Sequence, residues 1–247
     1  VGLFGNSFDR RLRDISNRDL CILLALVLAL IYANNVFHFS QYRINKVFDR
    51  TSEGMIVGRL GRSAAEGIGA KGGTLGTNKA PDKEDSRDYD AQVKYFETPA
   101  LISTEKADWD SYDSQLGLQG IFYSLLDAVN PLPRSYRIGF YHFLSALTCT
   151  AVLMWVGAMI GARFGRPALL GFTVAIGFEP MFTALAPNLY WAVGLWFLPM
   201  ALAMRLVNAG TPGRRRLLLM AIGGAVFVKA LCGYEYITCV ILAAATG

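Results

Sequence analysis

Residues Ile138–Gly161, IGFYHFLSALTCTAVLMWVGAMIG, decide how this chain is read. The run holds no Asp, Glu, Lys or Arg, and it exceeds the roughly 20 apolar residues a helix needs to cross the hydrocarbon of a bilayer. Arg163 and Arg166 follow it directly. Working outward, four further apolar runs appear. Leu20–Phe39 (LCILLALVLALIYANNVFHF) is preceded by Arg10, Arg11, Arg13 and Arg18. A third run goes from Ala168 to near Pro187, and a fourth from Leu189 to Val207, with Arg205 near its end and Arg214-Arg215-Arg216 beyond it. A fifth starts at Leu217. The composition agrees: 53% of residues are hydrophobic, 17% are charged, and the mean hydropathy is +0.33, high for a soluble domain.

Spans that alternate direction bring the arginine clusters to one side. With the amino terminus inside, the amino-terminal arginines, the Arg163/Arg166 pair and the Arg214 triplet all fall on the cytoplasmic face, as the positive-inside rule requires. Arg134 and Arg137 run against the rule, but they end a long loop, where it is weaker. The expected fold is therefore an all-α polytopic membrane protein in the cytoplasmic (inner) membrane. Residues 1–19 form a cytoplasmic segment, 20–39 the first span, 40–137 a large extracytoplasmic loop, and 138–247 spans two to five with the start of a sixth. The few apolar residues after Tyr236 and the absence of an initiator Met suggest the amino-terminal part of a longer chain. The first run is too long for a signal-peptide core and lacks a small-residue cleavage pattern. No basic stripe interleaves with stacking aromatics, which excludes nucleic acid as a partner. Cys21, Cys149, Cys232 and Cys239 lie in or beside apolar runs and form no ligand-spaced cluster, so they read as packing residues.

The outer loop has internal order. Ile44, Val47, Phe48, Thr51 and Met55 share one helical face, and Leu118, Ile121, Phe122, Leu125, Leu126 and Val129 form a second stripe that ends at Asn130-Pro131-Leu132-Pro133. Both read as amphipathic helices at the membrane interface. Between them GIGAKGGTLGTNKAPDKEDSRDYD reads as a mobile connector. Its Gly67–Gly72 matches GxGxxG, but no strand–helix context surrounds it. His38 and His142 are too isolated to suggest a metal site.

Asp49-Arg50-Thr51-Ser52-Glu53-Gly54-Met55 soon after the first span, Tyr112-Asp113-Ser114-Gln115-Leu116-Gly117-Leu118-Gln119-Gly120 before the second interfacial helix, and Asn188-Leu189-Tyr190-Trp191 at an outer turn together give a layout that resembles the GT-C membrane glycosyltransferases. The resemblance implies transfer of a sugar from a polyprenyl-phosphate donor to an extracytoplasmic glycan or lipid acceptor. It also implies that Glu53, with Asp49 as the alternative, is the catalytic base, and it draws attention to Arg59, Tyr112, Asp113, Gln115, Asn188, Lys229 and Glu235 as substrate-binding candidates. No cofactor is certain. Paired acids at Asp88-Tyr89-Asp90 and Asp108-Trp109-Asp110 leave a divalent metal open, with no metal ligand assigned. The chemistry is compatible, since an acceptor hydroxyl attacking an anomeric carbon needs a base and a carboxylate can serve. Two other readings stand beside it: a transporter or flippase, and a noncatalytic membrane subunit. Asp49 and Glu53 could equally be the wet face of an interfacial helix.

Two charges read as lying deep in the spans. Counted at about 1.5 Å per residue, Glu179 and Lys229 reach nearly equal depths, so they are expected to face each other or one shared cavity, because a lone charge in hydrocarbon is costly. Glu235 is expected at the outer boundary, where Gly233-Tyr234-Glu235-Tyr236 would end the fifth span on the side of the large loop.

Overall fold

The structure, a computed structural model, describes residues 16–36, 43–79, 88–102 and 108–246, with 43–49 described by their helical backbone. The fold is mostly helical. The bundle consists of α1 (Asn17–Ala33), α5 (Arg134–Phe164), α6 (Arg166–Gly177), α7 (Pro180–Leu185), α8 (Gly194–Val207), α9 (Pro212–Cys232) and α10 (Ile237–Thr246). The loop module between α1 and α5 contains α2 (Arg43–Glu66), β1 (Gly76–Asn78), α3 (Tyr89–Glu97), a 3₁₀ turn (Pro99–Leu101), β2 (Trp109–Ser111) and α4 (Leu118–Val129).

Helix directions in the bundle follow from contacts at its two ends. Arg166 Nε donates to Asn17 Oδ1 at 2.7 Å, and the Tyr32 hydroxyl donates to the Ile176 carbonyl at 2.6 Å. Thus α1 and α6 run parallel, start against start and end against end. The chain reverses at Gly165 between α5 and α6, where φ is +89°, a value that suits glycine. Arg163 and Arg205 line one cavity with Met159, Met204 and Asn208, so α5 and α8 end on the same side. Small and apolar side chains fill the space between helices: Ala25, Leu28, Ala29 and Tyr32 of α1 pack with Ala146, Cys149, Leu153 and Met154 of α5 and Leu169 of α6.

The loop module has its own core of Ile56, Val57, Leu60, Leu75, Phe96 and Tyr123, joined to the bundle through Ile138, Tyr141, Leu189 and Tyr190. The connector expected to be mobile is in part a strand. β1 pairs antiparallel with β2, Thr77 opposite Asp110, which adds a short two-stranded ribbon to a fold expected to be all-α. A buried amide pair fixes it: Asn78 N donates to Gln92 Oε1 at 3.0 Å, and Gln92 Nε2 returns a bond to the Asn78 carbonyl at 2.8 Å. Residues 80–87, the charged part of that connector, lie outside the described residues.

The third apolar run is not one helix. Pro180 has no N–H to donate and disfavours helical backbone in the residue before it. Glu179 is accordingly extended (φ −79°, ψ 112°), and its carboxylate caps α7 by accepting from Met181 N at 3.2 Å. By length and composition one described helix, Arg134–Phe164, is long and apolar enough to cross a membrane. α4 does end at Val129, before Asn130-Pro131, as its pattern predicts.

Two helices turn polar side chains inward and apolar ones outward. α4 buries Gln119, Ser124 and Asp127 and exposes Phe122, Leu125 and Val129. α9 buries Lys229 and exposes Leu217, Met220 and Phe227. α1 exposes Ile22, Leu23, Leu26, Val27 and Leu30 along one face.

α4 also approaches the loop closely through a glycine. A Cβ at Gly120 would collide with the Thr74 carbonyl oxygen, whereas one at Gly171 would meet open space. Overpacking of a backbone contact costs on the order of 1–3 kcal/mol. Gly120→Ala should therefore lower the thermal unfolding midpoint, and Gly171→Ala should not.

Candidate functional site

Of the three stretches singled out in the sequence, two converge on the third, the turn Asn188–Trp191 between α7 and α8. Glu53 projects from α2 towards this turn and is only 6% exposed. Its Oε1 accepts from the Leu189 N–H at 3.0 Å and lies 2.8 Å from His142 Nε2 of α5. Both contacts use the same carboxylate oxygen, so Oε2 lies outside both bonds. A wet-face role for Glu53 is thereby overturned: the side chain points inward. The side chain of Asp49, one turn earlier on α2, lies outside the described residues.

The turn itself is built from side-chain bonds to its backbone. Asn188 Oδ1 accepts from Tyr190 N at 2.9 Å, and the Ser145 hydroxyl donates to the carbonyls of Ala186 (2.9 Å) and Asn188 (3.3 Å). Gln119 Nε2 donates to the Tyr190 carbonyl at 3.0 Å. Asn188, a substrate-binding candidate from the sequence, thus shapes the turn.

On the other flank of the turn stands a second polar group. The Tyr190 hydroxyl donates to the Gln115 amide oxygen at 2.6 Å and lies 3.0 Å from Glu235 Oε1; the Gln115 NH₂ faces Glu235 Oε2 at 3.2 Å. Tyr112 interacts with the same hydroxyl. Burial, then the charge of Glu235, then Tyr112 push the Tyr190 phenol up from its ordinary pKa, so it remains a neutral donor at any working pH. Of the sequence candidates, Tyr112, Gln115 and Glu235 therefore meet here, and the expected bend at Gly233–Tyr236 does lie against the loop. Asp113 takes no part in this group: its Oδ2 accepts from the Ser111 hydroxyl at 3.1 Å on the surface.

Lys229 is buried (2% exposed) and donates to the carbonyl of Gly233, four residues on, with Glu235 as its electrostatic neighbour. The expected Glu179–Lys229 pairing is not found: no ion pair joins the two among the described residues, and Glu179 caps α7 instead. Equal depth along two helices did not bring them into an ion pair.

Arg59 holds the glycine-rich segment. Its Nη1 donates to the Ala70 carbonyl and its Nη2 to the Ile68 carbonyl, both at 2.8 Å. The GxGxxG match is thus a loop clamped by an arginine from α2. Burial first, and then neighbouring Arg62, lower the Arg59 pKa, with Glu66 opposing. Of the paired acids, Asp88 caps α3 and Asp110 sits in β2. Among the described residues no group of three or more His, Cys, Asp or Glu is placed to hold a metal ion.

The histidine at this site is what the sequence did not reveal. His142 lies one residue after Tyr141 in an apolar run and carries no motif. Its only signal is that it is the sole titratable imidazole in the longest apolar helix. No protein-family model, curated protein or solved structure matches the chain.

The Tyr190 hydroxyl ties the outer turn to the loop by donating to Gln115, and a neutral hydrogen bond of this kind is worth about 0.5–1.5 kcal/mol. Tyr190→Phe should lower stability by that order. Thermal unfolding followed by the reactivity of the buried thiols Cys149 and Cys232 would register the change.

Proposed function

We propose that the chain is a polytopic membrane glycosyltransferase of GT-C type, residing in the cytoplasmic membrane with its amino terminus inside. It would transfer a sugar from a polyprenyl-phosphate donor to an extracytoplasmic glycan or lipid acceptor. The observation that carries this reading is Glu53, a buried carboxylate held through one oxygen, at the end of the bundle opposite Arg18, Arg163, Arg166 and Arg205.

The membrane part is supported by the inverted polarity of the helices. An amphipathic helix that buries Gln119, Ser124 and Asp127 while presenting Phe122, Leu125 and Val129 outward suits an apolar surrounding and not water. The helix directions also gather Arg18, Arg163, Arg166, Arg205 and Arg214–Arg216 at one end, while Glu53, His142 and Glu235 occupy the other. That separation fits arginines at the cytoplasmic face and a site at the outer face.

In the reaction, Glu53 Oε2 takes the proton of the acceptor hydroxyl as that oxygen attacks the anomeric carbon. The bond from that carbon to the phosphate oxygen breaks, and its electron pair leaves with the lipid phosphate. His142 and the Leu189 N–H hold the carboxylate in position, so base and hydroxyl need not search for alignment. Gln115, Tyr190 and Glu235 form a polar rim suited to sugar hydroxyls, and Lys229 supplies positive charge beside it.

Sugar transfer from a polyprenyl-phosphate donor, assayed in membranes, tests the reading. Glu53→Gln should reduce the rate by about 10²–10⁴-fold, the usual range for a general base. His142→Gln, which keeps an N–H donor, should retain more activity than His142→Ala. Full transfer by both Glu53→Gln and His142→Ala would overturn Glu53 as the base, and no transfer by the wild-type protein would return the choice to a transporter or a noncatalytic subunit.

A further inference from the structure

At the arginine-bearing end of the bundle, an apolar groove of about 520 Å³ opens on the outer surface between α1 and α5. Small residues hollow it out: Cys21 and Ala25 on α1 face Ala151 and Ala158 on α5, with Met154 and Trp155 as its floor and side. Asn17 and Arg18 stand at one end, and Arg166 reaches the same end through its bond to Asn17.

The length of the groove selects its occupant. On α1 it extends from residue 17 to 26 and on α5 from residue 158 to 147, which is about 14–17 Å along the helices at 1.5 Å per residue. Half of a hydrocarbon core of about 30 Å is about 15 Å, so the groove matches one leaflet. A crossing helix would need a groove twice as long. The cation stands where that leaflet meets water, and the far end is closed by apolar side chains alone. An acyl chain with a negatively charged headgroup complements both features.

From this geometry we infer a binding site for an anionic phospholipid, with one acyl chain in the α1–α5 groove and its phosphate beside Arg18. The inference rests on the membrane-spanning reading and not on the transferase reading. The lipid lies in the leaflet opposite the proposed catalytic end, so it is not the sugar donor.

Trp155 lines the groove and reports on its contents. The full chain would be reconstituted in phosphatidylcholine vesicles containing either brominated phosphatidylglycerol or brominated phosphatidylcholine at equal mole fraction. The signal of Trp155 is isolated by difference from Trp155→Phe. Brominated phosphatidylglycerol should quench Trp155 at about fivefold lower mole fraction than brominated phosphatidylcholine, the preference expected of one cation at a membrane surface. Arg18→Gln should remove that preference, and Ala151→Phe, at an exposed position on the groove wall, should abolish quenching by both lipids. Equal quenching by the two lipids in the wild-type protein overturns the anionic site. Absence of quenching, in protein that floats with the vesicles, means a second copy or another helix fills the groove, and this also overturns it. Protein that fails to float refutes the membrane reading itself, and the site with it.

Discussion

The bond between the Glu53 carboxylate and the Leu189 N–H joins the loop module to the bundle. The turn at Asn188–Trp191 is buried, and its backbone groups cannot turn to water. Buried N–H and C=O groups must then find partners within the protein. Here the partners come from everywhere around: Glu53 from α2, Gln119 from α4, Ser145 from α5 and Asn188 from the turn itself. Withdrawing the loop module would orphan several of these groups together, at about 1–3 kcal/mol each. The position of Glu53 is thus set by the needs of the turn as much as by α2.

That constraint works together with the inverted polarity of the helices. In α4 the polar face is the one that packs, because Gln119 and Asp127 have bonds to make with Tyr190, Arg137 and Tyr141. The apolar stripe is consequently left outside. α9 follows the same logic, with Lys229 turned inward to the Gly233 carbonyl and leucines turned outward. Small residues such as Ala25, Ala29, Ala146 and Cys149 let α1 and α5 approach closely. Polar bonds and close packing, more than apolar burial, hold the parts in register.

The sequence made some of this legible. The stop after Val129 is written in Asn130-Pro131, and the alternation of arginines foretold which helix ends share a side. The loop stretch 112–119, the outer turn and the segment after Gly233 were each singled out, and the structure brings them together. Other features were not readable, for definite reasons. A strand of three residues such as Gly76–Asn78 has too few positions to show a period, and its partner is more than thirty residues away. Depth along a span can be counted only if the span is one helix, and the expected Glu179–Lys229 pair is not found because the helix breaks at Glu179 and its carboxylate caps α7. The break before α7 was written in Pro180, though in an apolar run of the right total length it is easily overlooked. His142 was passed over because a lone histidine gains meaning only when tertiary contact supplies its partner.

The choice of glutamate at position 53 separates a structural role from a chemical one. An acceptor for the Leu189 N–H and for His142 is all that packing requires, and the neutral amide oxygen of a glutamine would provide it. A carboxylate at the same place must be stripped of most of its water, at a cost of several kcal/mol after relaxation. Two donors on one oxygen offset only part of that cost. Sites where a fold bears an avoidable electrostatic penalty are the places to look for chemistry. Glu53 invites that reading because, among the described residues, its Oε2 takes part in neither of the two contacts that hold it. The loop bond explains why an acceptor is there, and on the proposed reading proton transfer is what a carboxylate adds to it.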